Sequence, residues 1–277
     1  MKRIKIELIV TYGVITILLL ILAFPVYWMA VSSLQPSSRL MNLPPHFFPE
    51  TFFINNYLRI ASDSHYLGFF INSIIVATGT VAVVFLIAIP AGFSFSRYFF
   101  KGKSLMLTSI MSVQMFPIVV ILISLYTFYM KLQLLNTYQG IILAHTTFAL
   151  PLSIMLMKSF FDTLPRSLDE SARIDGAGRI RILLSILIPL TKPGLVATGI
   201  YTFLTSWDDY LLSLTIMQRV NLKMLTVGLA QSFMGEYAHD YGALMAFCVA
   251  GSIPIVIFFV AFQKYMISGL TAGAVKG

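Results

Sequence analysis

Charge is scarce in this sequence. Of its 277 residues only 11% are Asp, Glu, Lys or Arg, against about a quarter in soluble domains, which excludes an ordinary water-facing surface. Cysteine is nearly absent. The lone thiol, Cys248, excludes an internal disulfide framework and reads as a packed core thiol. His46, His65, His145 and His239 fall with no metal-ligand spacing, and no Ser sits between glycines as in a nucleophile elbow. "KGKS" at residues 101–104 ends like a phosphate-binding loop, but Arg97 stands where that loop needs a Gly. The chain therefore lacks an ATP site of its own.

What is abundant is apolar surface. Hydrophobic residues make up 58% of the chain and the mean hydropathy is +0.86. Uncharged runs extend from Leu8 to Gln35, Ser64 to Ser96, Ser104 to Met130, Leu132 to Met157 and Tyr241 to Gln263. A hydrocarbon core about 30 Å thick needs roughly 20 helical residues, so each run can cross it. A sixth candidate begins at Pro193 and contains Asp208 and Asp209. These runs predict an all-α integral membrane protein, a single transmembrane domain over residues 1–277. Its six spans are expected near 9–33, 69–94, 105–129, 138–159, 193–217 and 242–265.

Orientation follows from the basic residues of the connections. On one side lie Lys2, Arg3, Lys5, Arg97, Lys101, Lys103, Lys158, Arg166, Arg173, Arg179, Arg181, Lys192, Lys264 and Lys276; on the other lie only Arg39, Arg59, Lys131, Arg219 and Lys223. The rich side is cytoplasmic, and with it both termini. The net charge of +8 is thereby a feature of topology and calls for no nucleic acid. The first apolar run far exceeds the roughly 7–15 residues of a signal-peptide core, so it is expected to stay as a span. Residues 34–68, with "NLPPHFFPE", read as an ordered but irregular external loop.

One connection is unlike the rest. Residues 160–192 contain "DESARIDGAGRIRILLSILIP". Ser167 and Glu170 have the spacing of a capping box, so a short helix is expected from Leu168. Gly176 is placed to end it in a left-handed cap. Ile180 to Ile188 resume an apolar pattern, which Pro189 and Pro193 break before the fifth span. The element is thus a cytoplasmic helix, turn and helix between spans four and five. Leu168 and Ala172 share one face, and small Ala172 and Gly176 suit entry into a groove. From the residues alone an amphipathic surface loop fits equally well.

The spacing of Glu170, Ser171, Ala172, Gly176, Ile186, Ile188 and Pro189 resembles the EAA loop of permease subunits in ABC importers. "ARIDGAG", "SWDDYL", "NSIIVATGTVAVV", "AGFSFSRYFFKGK" and "GLTAGAVKG" resemble the carbohydrate branch, and in it the second permease subunit of maltose-type systems. Ser171 departs from the usual Ala, Ile188 from the usual Leu, and Asp208 from the usual Asn after Trp. The resemblance implies that Glu170, Ser171, Ala172, Asp175 and Gly176 couple to an ATPase subunit. It also implies that tail residues Gly269, Leu270, Thr271, Gly273 and Lys276 reach the ATPase dimer; without it they read as a frayed terminus. The implied partners are a sister permease, two ATPase subunits and an extracytoplasmic sugar-binding protein. The implied location is the cytoplasmic membrane of a bacterium or archaeon. No cofactor is expected on this chain, ATP and Mg being held by the ATPase, and no catalysis.

Polar groups inside spans are functional candidates. Asp208 and Asp209, with Trp207, lie about 22 Å along the fifth helix from Pro193, so Asp208 is expected to face the pathway and Asp209 to hold the helix end. Gln114 is expected near the midplane of the third span, and His145 lies in the fourth. Three classes follow. The leading one is the pore-forming half of an ATP-driven sugar importer. A proton-coupled secondary carrier would use the two acids as a relay, but leaves the charged connection unexplained. An intramembrane hydrolase lacks a nucleophile and base in the sequence.

Overall fold

Where lipid replaces water, backbone amides and carbonyls must find partners within the chain, so apolar runs of this length become helices. The computed structural model describes residues 2–233 and 240–274, excluding the side chains of residues 2–7, 9 and 264–274. In order come α1 (Lys2–Ser33), α2 (Ser37–Leu40), α3 (Asn55–Ser62), α4 (Ser64–Arg97), α5 (Lys103–Ser112), α6 (Ile118–Lys131), α7 (Tyr138–Asp162) and α8 (Ser167–Ile174). There follow α9 (Arg179–Arg181), α10 (Ile188–Leu190), α11 (Lys192–Trp207), α12 (Leu211–Ile216), α13 (Leu225–Phe233) and α14 (Tyr241–Ala274). No strand occurs among the described residues.

Four described segments are helical, long and apolar enough to cross a membrane: Val10–Ser33, Ser64–Arg97, Tyr138–Asp162 and Tyr241–Gln263. Two bent pairs raise the count to six if each crosses once. Here the expected spans need correction. The third, expected unbroken over 105–129, bends by 96° between Lys103–Met115 and Ile118–Lys131. Pro117 lacks an amide hydrogen and forces Phe116 into extended backbone, so the helix ends and restarts. The fifth, expected unbroken over 193–217, is helical only to Trp207 and resumes at Leu211. Before it, residues 182–187 form a π-helix and an 83° bend separates Arg179–Leu190 from Lys192–Trp207. Pro189 explains the widened turn, since its ring clashes with the carbonyl four residues back.

The chain divides into two compact units. One comprises Met1–Leu67 with Leu229–Ile253. In it the middle of α1 buries almost nothing, and Leu18, Ile21, Leu22 and Val26 are all exposed. Residues 34–63 are more regular than their prolines suggest, holding α2 and α3. Asn56 Nδ2 donates to the Ser33 and Gln35 carbonyls at 2.9 and 3.0 Å. Asp240 caps α14 through the Ala243 amide and accepts from Ser37 Oγ at 2.6 Å and Arg59 at 2.5 Å.

The other unit comprises Gly68–Gly228 with Pro254–Gly277. In it α7 packs against both α4 and α11. Two glycines permit this approach. A Cβ on Gly92 would lie 2.8 Å from Met157 Cβ and 2.9 Å from the Lys158 amide nitrogen, and one on Gly194 would lie 2.4 Å from the Phe160 ring. Val84, Ala88, Phe93, Met157, Phe161 and Leu187 form one apolar cluster, which also takes in Ala172 of α8. Val76, Tyr129, Ile141, Leu212, Ile216 and Met217 form a second.

Candidate functional site

Two places in the larger unit gather polar groups that an apolar chain has no packing reason to hold. The first is α8. Its C-terminus is a complete Schellman motif. Gly176 has φ +80°, its amide donates to the Arg173 carbonyl at 3.0 Å, and the Ala177 amide donates to the Ala172 carbonyl at 2.9 Å. The N-terminus differs from the sequence expectation. Ser167 is already helical, Arg166 is the N-cap, and no side chain caps the helix. The Leu168 amide bonds the Pro165 carbonyl, and those of Asp169 and Glu170 bond the Arg166 carbonyl. The Ser167 and Glu170 capping box therefore does not form, because backbone carbonyls already serve these donors.

Of the five coupling candidates, Glu170, Ser171, Asp175 and Gly176 are exposed. Ala172 is 6% exposed and packs into the chain's own core, so it anchors the helix while its remaining surface lines the cleft beside it. The outward side carries Glu170, Arg173 and Ile174, the last 87% exposed. Beside it lies a cleft of about 410 Å³ lined by Leu168, Ser171, Asp175, Arg181 and Ile186 among others. Beneath α8 is an ion pair that sequence reading missed. Arg97 Nε stands 2.8 Å from Asp169 Oδ2, the two side chains 4% and 9% exposed. Arg97, counted above among the basic residues of the connections, is the last residue of α4 and its side chain is buried.

The second place is the gap between α11 and α12. Asp209 Oδ2 accepts from the Ser213 amide at 2.8 Å and lies 3.2 Å from His145 Nε2. Asp209 Oδ1 lies 3.4 Å from the Leu212 amide. His145 Nδ1 is 2.6 Å from Ser206 Oγ. A carboxylate that takes the amides of the next turn competes with helix continuation, which is why the span breaks here. Ser206, His145 and Asp209 stand in the order of a hydrolytic relay that the sequence did not reveal. Ser206 is 6% exposed inside α11, and through His145 the cluster ties α7 to the break between α11 and α12. Asp208 is exposed, while Trp207 is 3% exposed and stacks on Phe203 with ring centroids 5.5 Å apart. Gln114 lies apart from them, exposed in the 3₁₀ turn of the third-span bend. The tail candidates Gly269, Leu270, Thr271, Gly273 and Lys276 lie outside the residues whose side chains are described.

Fold and site together define an all-helical, multi-span membrane protein with interrupted spans and a short, rigidly capped helix outside them. Residues 85–271 match the family described as binding-protein-dependent transport system inner membrane component, and the chain belongs to that family of ABC transport permeases. A sulfoquinovosyl glycerol transport system permease of Agrobacterium fabrum is 36% identical, over 92% of this chain and 89% of its own. A trehalose/maltose transport system permease of Thermococcus litoralis is 36% identical, over 93% of each. In fold the chain is similar to a bacterial ABC transporter involved in import of the acidic polysaccharide alginate. That likeness has a TM-score of 0.82 at 22% identity and covers 95% and 97% of the two chains.

Proposed function

We propose that residues 1–277 act as one membrane domain of an ATP-driven importer of sugars, oligosaccharides among them. The observation that carries this is α8, a Schellman-capped helix anchored inward by Ala172 and Asp169 with Glu170 and Ile174 turned outward. Such an element is a rigid handle for a partner. In this reading the ATPase subunits grip Glu170, Ser171, Ala172, Asp175 and Gly176, supported at the carboxyl-terminal tail, and ATP and Mg belong to them. This chain performs no catalysis. A sister permease completes the pore and an external sugar-binding protein delivers substrate; the description of the family as binding-protein-dependent supports the second of these. Both termini and α8 face the cytoplasm. Closure of the ATPase dimer moves the handles and tilts the spans between inward-open and outward-open states.

Asp208 is the pathway group of this reading, since Asp209, His145 and Ser206 bond one another and Trp207 is packed. A proton-coupled carrier would need Asp209 free to exchange its proton, whereas its carboxylate is engaged by His145 and the Ser213 amide. The test is uptake of labelled maltodextrin or trehalose by proteoliposomes holding the chain with its neighbouring subunits. Uptake should require ATP, fail for Asp208→Leu and change affinity for Asp208→Asn; uptake driven by a proton gradient alone would sink the reading. Topology is tested with single cysteines at Ser62 and Ser167 in a Cys248→Ala background. An impermeant reagent should label only the first in intact cells, and labelling of the second alone would reverse the orientation.

A further inference from the structure

A handle must move the spans, and its covalent neighbours transmit poorly. On one side α8 leads through α9 and α10 into an 83° bend before α11. On the other, the non-helical residues 163–166 separate it from α7. The ion pair offers a third route. Arg97 is the last residue of α4, and besides its 2.8 Å contact with Asp169 it donates through Nη2 to the Leu164 carbonyl at 3.2 Å. Around it the end of α4 is clasped further. Ser96 Oγ donates to Asp162 at 2.6 Å, Arg166 lies 4.9 Å over the Phe99 ring, and Arg179 lies 5.3 Å over the Tyr98 ring.

The opposite portion of α4 is held as specifically. Asn72 Nδ2 donates to the carbonyls of Asn221 and Lys223 at 3.1 and 3.0 Å, while its Oδ1 accepts from Tyr138 at 2.6 Å. Ser73 Oγ accepts from the Leu225 amide at 2.8 Å. All three backbone contacts lie on the segment that follows the broken fifth span. Between Asn72 and Arg97 the helix is continuous, running through Pro90 without a break, so the two clamps sit roughly 38 Å apart on one helix. A helix held by fixed hydrogen bonds at each end carries a displacement; a bent connection absorbs it.

We infer that Arg97 and Asp169 are positioning residues of the transport cycle, delivering movement of α8 to α4 and along it to residues 221–225. This rests on the reading of α8 as the ATPase handle. Only a guanidinium reaches Asp169 and the Leu164 carbonyl together with fixed geometry, so the pair fixes direction as well as distance. Apolar packing alone would let α8 slide over the end of α4.

The experiment measures sugar moved per ATP hydrolysed in the reconstituted complex. A merely structural pair would change the yield of complex without changing this ratio. The double variant Arg97→Met with Asp169→Leu leaves no lone buried charge, and pairs so replaced commonly still fold. It should copurify with the ATPase and hydrolyse ATP, with the ratio down about five-fold or more. Arg97→Lys should fall between it and the wild type. A double variant with the wild-type ratio overturns the inference, and so does one that never assembles, which would make the pair a folding requirement. Failure of the ATPase to copurify with the unaltered chain would instead sink the handle reading itself.

Discussion

The handle and the broken span solve one problem in different ways. Each begins a short helix with an aspartate drawn to a basic side chain from a long span: Asp169 to Arg97 of α4, and Asp209 to His145 of α7. At the handle the cation is permanent and both side chains are at most 9% exposed. At the break the histidine is charged only if protonated, and the carboxylate is also held by the Ser213 amide. The first arrangement depends on its partner. The second is sustained largely by the backbone it interrupts, so it marks a place where the chain turns. A buried charge pair thus ties separate elements, whereas a backbone-held carboxylate shapes one.

Removing the basic partner in each place should separate the two cases. Arg97→Leu leaves the Asp169 carboxylate buried without its cation, and should lower stability of the solubilised protein by about 3–5 kcal/mol, read from denaturation in detergent. His145→Leu leaves Asp209 its backbone donor and should cost only about 1–3 kcal/mol in the same assay. Equal losses would mean that the two carboxylates are held alike. At the other end of the handle, Gly176→Ala meets no neighbouring atom within 4 Å, so its cost is purely the left-handed backbone, about 1–2 kcal/mol. Gly176→Asn should cost less than Gly176→Ala, and a reversed order would show that the cap is not what matters.

The smallest effect belongs to a solvent-facing pair in the other unit, a control for the buried ones. Partial burial disfavours the charge of Asp240, but the Ser37 hydroxyl, the Ala243 amide and Arg59 outweigh it and hold the carboxyl below its ordinary 3.8. A depressed value means stability that is present above pH 3.8 and lost as pH falls through the lower folded value. Arg59→Gln should raise the pH of that loss slightly, with little change at neutral pH because solvent screens the pair. Melting curves followed down past pH 3.8 check it; a large loss at pH 7 would contradict the comparison.

The membrane class, the helical architecture and the family were legible in the sequence, because each rests on composition or on residues near one another. So was Gly176, whose positive φ ends α8 where the spacing placed it. The interruptions of the third and fifth spans were not read from the sequence, although Pro117 was a visible signal of the first. The Asp209 break had a weaker one in the adjacent acids.

Apolar runs determined by themselves that this chain belongs in a membrane, since hydrophobic transfer depends on local composition alone, and local glycine and proline chemistry set several helix ends. Only the tertiary structure decided which charges are buried and with what partner. Arg97 and Asp169 are 72 positions apart and His145 and Asp209 are 64, and an ion pair in a low-dielectric interior is defined by distance in space. The packing of α4, α7 and α11 supplies that distance, and no spacing in the sequence encodes it.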